Sequence, residues 1–378
     1  MHLPFAQSER STVGIEWELA LVDKDSGDLR QVAQTVLDAV RPEGRDSHPH
    51  IMQELLLNTV EVVSGVGRDV PDAAADLERA IDEIRAVTDP LRVELMCAGT
   101  HPFAQWSHQK VTDKARYNTL IDRTQWWGRQ MLIYGVHVHV GIEDRRKVLP
   151  ILRAMLTCFA HLQSLSASSP FWGGKDTKYA SNRALMFQQL PTAGLPFQFE
   201  TWDQFEGFAQ DQLTTGVVDE LSEIRWDVRP SPHLGTLETR ICDGVSTFEE
   251  LAALVALVHC LVVDLDARVA TGAPVTTMPP WHVQENKWRA ARYGLEAIVI
   301  LDSESRERLV TDDLTDLLAR LQPVAERLHC TDELASVSTI VARGASYQRQ
   351  RAVAAATDFD LVAVVDSVVR ELRESLGR

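Results

Sequence analysis

The sequence predicts an α+β fold in one domain over residues 1–378, a mainly antiparallel sheet with helices packed on one side. Three observations carry that expectation. Stretches of period-two alternation recur through the first two-thirds of the chain, separated by helical patterns or long loops. Helical patterns dominate from about Phe248 to the C-terminus, broken by the Pro-rich stretch TGAPVTTMPP. No Ser/Gly or Pro linker divides the chain into halves, and no internal repeat is present.

The first strand is expected in RSTVGIEWELALVD, where Ile15, Trp17, Leu19 and Leu21 share one face and Glu16, Glu18, Ala20 and Val22 the other. QVAQTVLDAV reads as a short helix or strand-edge segment. PDAAADLERAIDEIRAVTD is an amphipathic helix, its stripe formed by Leu77, Ala80, Ile81, Ile84 and Val87, with Pro71 near its start. VELMCAGTHP reads as a strand ending in a turn. Lys147 to Leu165 is apolar nearly all round, which predicts a deeply packed helix. SASSPFWGGKDTKYASNR follows as a long loop, and loops of that length within a domain tend to be functional. Two glycines and Phe171, Trp172 and Tyr179 suit it to closing over a site, the alternative being a packed connecting loop. LAALVALVHCLVV (Leu251 to Val263) is shorter than the roughly 20 residues of a membrane span and reads as a buried helix. Trp288 and Tyr293, in ENKWRAARYG, are expected in the core.

Composition narrows the function classes. The 378 residues are 45% hydrophobic and 24% charged, an ordinary globular balance. The net charge of −16, from 54 acidic and 38 basic side chains, argues against a nucleic-acid partner. An anionic substrate would have to be held by local cations against that field. Five widely spaced cysteines indicate neither a disulfide framework nor a zinc knuckle. The opening residues lack a basic region followed by an apolar run, so no signal peptide and no membrane association are expected, and the protein is placed in the cytoplasm.

The alternation of the first strand recurs twice. YGVHVHVGI sets Val136, Val138 and Val140 against His137 and His139, and GTLETRICDG sets Leu237, Thr239 and Ile241 against Glu238, Arg240 and Cys242. QELLLNTVEVVSG adds Glu54 and Glu61, whose odd separation requires either a bulge or a Glu54 that precedes the strand proper. Three strands with paired ionisable groups opposite an apolar face predict one shared polar surface. Oxygen-rich ligation with few nitrogens favours Mg²⁺, with Mn²⁺ also suited, over zinc. Two familiar motifs fail. GGKDT echoes a phosphate-binding loop, but Ser169 and Asp176 stand where glycine and Ser/Thr are needed. HVHVGIE echoes a cupin metal motif, but Glu143 opens a helical stretch.

GIEWEL, ELLLNTVEVVSG, RYN, GVHVHVGI, SASSPFWGGKDTKYASNR, WDVRPSPHLGTLETRI and ENKWRAARYG follow in order from Val13 to Gly294. Together they resemble the type 2 glutamate–cysteine ligases, in particular the bacterial carboxylate–amine ligase subfamily. The resemblance implies a glutamine-synthetase-like fold, a curved antiparallel sheet with helices on its outer face and an acidic cleft. It also implies ATP-dependent amide formation between an amino-acid carboxylate, typically glutamate, and an amine, typically cysteine, with a homo-oligomer left open. By motif position, Glu16, Glu18, Glu54, Glu61, His137 and Glu238 would hold Mg²⁺ on the ATP phosphates, and Arg240 would sit beside the transferred phosphoryl group. Arg116, Asn182, Arg183, Trp226 and Arg229 would line the substrate and ATP region, with Arg116 and Arg229 candidates for gripping a carboxylate. His139 matches a position where related ligases carry other polar residues and is not counted as a ligand. Two other readings use the same acidic face: a metal-dependent hydrolase, which would need both imidazoles of HVHV on the metal, and a non-catalytic Mg-nucleotide binder.

Overall fold

A computed structural model describes residues 2–377. The opening alternation forms β1 (Val13–Asp23), whose odd-numbered side chains Ile15, Trp17, Leu19 and Leu21 are all buried. Next come α1 (Ala33–Val40), β2 (Ile51–Gln53) and β3 (Thr59–Val63). The amphipathic stretch becomes α2 (Val70–Thr88), capped by the Asp69 carboxylate accepting from the Asp72 N–H, with Pro71 in the first turn. β4 (Val93–Met96), α3 (Ala115–Arg129) and β5 (Val136–Gly141) follow. The expected single helix from Lys147 is α4 (Arg145–Met155), a tight turn, then α5 (Phe159–Ser166). The 22-residue span Arg145–Ser166 is long and apolar enough to cross a membrane, yet its most apolar stretch is 78% buried inside the fold.

The long loop contains a two-stranded ribbon, β6 (Phe171–Trp172) and β7 (Lys175–Asp176), and ends in α6 (Arg183–Phe187). α7 (Trp202–Thr214), β8 (Val228–Ser231) and β9 (Thr236–Thr239) lead to α8 (Phe248–Thr271). α8 contains the apolar run Leu251–Val263 and is closed by Gly272 at φ 70°, a conformation glycine adopts at little cost. The remainder is α9 (Pro280–Tyr293), a second ribbon β10 (Ile298–Ile300) and β11 (Glu307–Leu309), then α10 (Val310–Arg327), α11 (Thr331–Arg343), α12 (Ser346–Ala356) and α13 (Leu361–Ser375). The ribbon β10–β11 interrupts the C-terminal part, in which helices dominate as expected. Trp288 and Tyr293 are 41% exposed rather than in the core, because α9 turns Val283, Asn286, Lys287, Ala290 and Ala291 inward instead.

The main sheet runs β2-β3-β1-β5-β9-β8, with β4 beside the second half of β1, and every pairing is antiparallel. Its apolar face lies on α2, α4 and α8, in a core continuous from Leu3 to Leu376. The opposite face is polar only at its centre. Toward β4 it is covered by a second apolar cluster in which Ala20, Val22, Met96 and Tyr134 meet Val365, Val368 and Val369 of α13. One helix therefore packs on the face that the alternation of β1 assigns to polar groups, and it bounds the open region at one end.

Candidate active site

Cross-strand register assembles the polar face. Glu18 of β1 lies directly opposite Glu61 of β3, Glu16 opposite His137 of β5, and His139 opposite Glu238 of β9. Arg229 of β8 is paired with Glu238 in turn. Each position inherits its direction from strand alternation, so one hydrophobic pattern fixes both the core and this row. Glu54 follows β2 and precedes β3, which resolves its odd spacing from Glu61: Glu61 is in β3, whereas Glu54 stands in the connection before it.

The row floors a cleft of about 330 Å³. Glu16, Glu18, Glu54, Glu61, His137, Arg183 and Arg240 line its floor and sides, while Arg116, Tyr117 and Leu120 of α3 and Glu220, Glu223 and Arg225 before β8 form much of its rim. Glu238 lies just beneath, 1% exposed. Two sets of donor atoms converge: Glu16, His137 and Glu238, and separately Glu18, Glu54 and Glu61, each set with its atoms within 4.8 Å of one another.

The two sets differ electrostatically. In the first, counter-charges are built in. Burial disfavours the Glu16 carboxylate, but hydrogen bonds from His137 Nδ1 (2.7 Å) and His139 Nε2 (3.1 Å) hold its pKa well below the ordinary value. Burial acts on Glu238 too and is outweighed by Arg229, whose Nε donates at 2.5 Å, and by Arg240, so its pKa is also lowered. Burial and the Arg240 charge push His137 down to about 4, which leaves its imidazole neutral and able to ligate.

In the second set the carboxylates face one another. Burial, then the Glu54 charge, raise Glu18 to about 7 against Arg183 and Arg240. Glu61 is raised well above its ordinary value by burial and by Glu54, Glu16 and Glu18, and burial raises Glu54 as well. Three converging oxygen donors with too little positive charge around them fit a hard divalent cation, and one imidazole among the carboxylates of the first set does not change that preference.

The remaining expected site residues divide. Arg183 reaches the cleft, 3% exposed, donating from Nη1 to the Arg240 carbonyl (3.0 Å) with Nη2 3.4 Å from His137 Nε2. Arg116 sits at the rim, stacked 4.5 Å over the Tyr117 ring. Arg229 lines the cleft but spends its guanidinium on Glu238 and on the Ser222 and Ile224 carbonyls. Asn182 does not line the cleft; its amide donates to Ser169 O and Thr177 Oγ1 and stitches its own segment together. Trp226 does not either. It is 2% exposed among Phe197, Phe199, Phe205 and Phe208.

The segment from Ser166 to Arg183 is packed rather than poised as a lid. The Asp243 carboxylate, fully buried, accepts from Ser168 N (3.1 Å), Ser169 Oγ (2.6 Å) and Ser181 Oγ (2.8 Å). Gln350 and Arg351 of α12 hold it from the other side. Sequence reasoning passed over Arg225 and Asp243. For Arg225 a signal existed: it shares parity with Arg229, whereas Trp226 shares parity with core-facing Val228. Asp243 offered none, because its partners are 62 or more residues away. His139 has both ring nitrogens engaged, by Thr236 Oγ1 (2.9 Å) and Glu16 Oε1 (3.1 Å), and is in neither donor set; this weighs against the hydrolase reading.

Two solved structures share this architecture at low identity. The glutamate–cysteine ligase of Francisella tularensis in complex with AMP matches with TM-score 0.69 at 11% identity, over 99% of this chain and 94% of that one. A bifunctional glutathione synthetase from Pasteurella multocida matches with TM-score 0.70 at 13% identity, over 97% of this chain and 53% of that one. They show a glutamine-synthetase-like fold. In sequence, the "Putative glutamate--cysteine ligase 2-2" of Nocardia farcinica is 62% identical over 371 residues, 98% of each chain. The "Putative glutamate--cysteine ligase 2" of Mycobacterium ulcerans is 62% identical over 370 residues, 98% of this chain and 93% of that one. The family model "Glutamate-cysteine ligase family 2 (GCS2)" matches residues 12–365. With the acidic cleft on the sheet and that match over almost the whole length, the chain belongs to glutamate–cysteine ligase family 2 and is a ligase that forms carbon–nitrogen bonds.

Proposed function

We propose that this protein joins the γ-carboxylate of glutamate to the amine of cysteine or a related amino compound, using ATP through an acyl-phosphate intermediate. The observation that carries the reading is the pair of carboxylate-rich donor sets, with the Arg240 and Arg183 guanidiniums beside them. The glutamate–cysteine ligase solved with AMP supports nucleotide use on this fold.

A carboxylate oxygen is a poor leaving group. Transfer of the γ-phosphoryl group of ATP to it forms a C–O–P linkage and releases ADP; the amine then attacks the carbonyl carbon and phosphate departs with the former carboxylate oxygen. An anionic nucleophile meets a triphosphate, and unit charges 4 Å apart repel by about 4 kcal/mol at an effective dielectric near 20. Glu16, His137 and Glu238, and Glu18, Glu54 and Glu61, would hold Mg²⁺, which would supply positive charge against the phosphates. Arg240 stands on a rigid mount: its backbone N–H donates to Asp227 O (2.7 Å) and its guanidinium to Glu238, so a fixed fork is offered to the phosphoryl oxygens without reorganisation. Arg183, wedged where any side chain on Gly135 would collide with it, supplies a second fixed cation. Arg229 holds Glu238 and keeps it ionised for ligation.

The test follows the oxygen. With glutamate labelled by ¹⁸O in its side-chain carboxylate, product phosphate should carry one label per turnover, and ADP should appear only when Mg²⁺, acid and amine are all present. Unlabelled phosphate alongside a formed amide would remove the acyl phosphate; absence of ADP across acid–amine pairs would remove the ligase reading altogether.

A further inference from the structure

An acyl phosphate must be kept from water, and the 166–183 segment, held by Asp243 and by α12, is not free to close over the cleft. The two banks of the mouth are held differently. Residues 217–225 form an anchored bank: Val218 and Ile224 are 1% and 2% exposed, and Thr192 Oγ1 donates to the Glu223 carbonyl while accepting from the Arg225 N–H. The other bank is α3, which is loosely seated. Of its fifteen residues only Tyr117, Ile121 and Gly128 are buried, while Trp126 and Trp127 are 54% and 41% exposed. Segments with so few buried contacts open locally at small free-energy cost.

α3 is also broken. Gln125 stands at φ 48° and ψ −117°, outside the helical region and strained for a residue with a Cβ. The break sets residues 115–124 apart as a rod of about three turns. Just ahead of the rod the chain is tied down, since Thr112 donates from Oγ1 to the Glu54 carbonyl (2.7 Å) and from its N–H to Leu55 O (2.8 Å). Arg116, Leu120 and Arg123 follow one another at spacings of four and three, which makes them one stripe. Arg116 and Leu120 line the cleft; Arg123 does not, and crosses instead to the anchored bank. There its Nη1 donates to Val217 O (3.0 Å) and stands 3.4 Å from Glu223 Oε2, and its Nη2 donates to Asp219 Oδ2 (3.1 Å).

We propose that residues 115–124 are the lid of the cleft, hinged at Gln125 and latched by Arg123, and that the closed lid keeps water from the acyl phosphate until the amine attacks. The proposal rests on the acyl-phosphate reading above, and Arg123 is a positioning residue that acts through α3. With the lid open, water takes the place of the amine. Its oxygen adds to the acyl carbon, the bond from that carbon to the phosphate oxygen breaks, and the acid and phosphate leave while the proton of water passes to solvent. One ATP is then consumed and no amide is formed.

Stoichiometry tests this. With L-glutamate, L-cysteine and Mg-ATP, the wild type should release about one ADP per amide, and Arg123→Met at least about threefold more. Arg123→Lys, which keeps a cation facing Asp219, should bring the ratio back toward that of the wild type. Hydrogen exchange at residues 117–124 should be at least about tenfold faster in Arg123→Met, with α2 and α8 unchanged as the mark of an intact fold. A wild-type ratio in Arg123→Met overturns the lid, and so does unchanged exchange in α3. If the wild type itself yields neither amide nor ADP, the proposed reaction fails, and the lid fails with it.

Discussion

Glu18, Glu54 and Glu61 present the site's central tension in three side chains: each is tolerable alone, and together they repel within 4.8 Å. Such an arrangement lowers the stability of the protein without a cation, and under the proposed function a bound Mg²⁺ would offset it. Glu61→Gln keeps the shape and removes one charge. In chelator at pH 8 it should raise stability by about 1–2 kcal/mol. In saturating Mg²⁺ the order should reverse, because the wild type gains more from binding. Calorimetric melting with and without Mg²⁺ checks both, and an unchanged difference between the two conditions would take Glu61 out of the cation site. The same scale shows what residue type alone conveyed. The identities of the acids and of Arg240 pointed to the cleft, whereas Asn182 and Trp226 carried motif membership without direction, and burial in their own neighbourhoods keeps them from it.

Elements are held at their junctions. The connection from α5 to α6 looks in sequence like a mobile cover, with its serines and glycines, yet buried serines require partners and Asp243 supplies them. Gly99 is also tied to this contact, since a Cβ there would fall 2.6 Å from the Asp243 side chain. Asp243→Asn turns an acceptor into a donor facing other donors. It should cost about 2–3 kcal/mol and open the Ser166–Arg183 segment to protease. It should also lower turnover, because Arg183 at the end of that segment reaches the cleft. Urea unfolding with limited proteolysis measures the first two effects; a segment as resistant as in the wild type would return its rigidity to packing alone. The elements themselves were largely legible: β1, α2, β5 and the buried run of α8 appear where alternation or a 3.6-residue stripe placed them. The two ribbons, with strands of two or three residues, were not, since so few residues show no period.

Across the whole molecule, acid stability depends on groups buried neutral. His101 is 1% exposed between the turn after β1 and the turn after β4; its Nε2 donates to Gly27 O (2.8 Å) and its Nδ1 accepts from Ala104 N (3.0 Å). Burial lowers its pKa to about 4. The unfolded chain takes up the proton near pH 6.5 and the folded one only near 4, so the contribution is complete above 6.5 and lost as pH falls through that window. It amounts to at most about 3 kcal/mol. The slope of unfolding free energy against pH between 6.5 and 4 should therefore flatten in His101→Gln; an unchanged slope would assign it to other groups.

Alternation along β1, β5 and β9 sufficed to assign an apolar and an ionisable face, and hence the acids that meet in the cleft, because side-chain direction in a strand is a local property of the backbone. Only tertiary structure decided which strands adjoin, that Arg229 is committed to Glu238, that α13 closes one end of the polar face, and that Arg123 reaches across the mouth of the cleft. Those outcomes depend on contacts between residues far apart in the chain, and no local pattern encodes a partner's position.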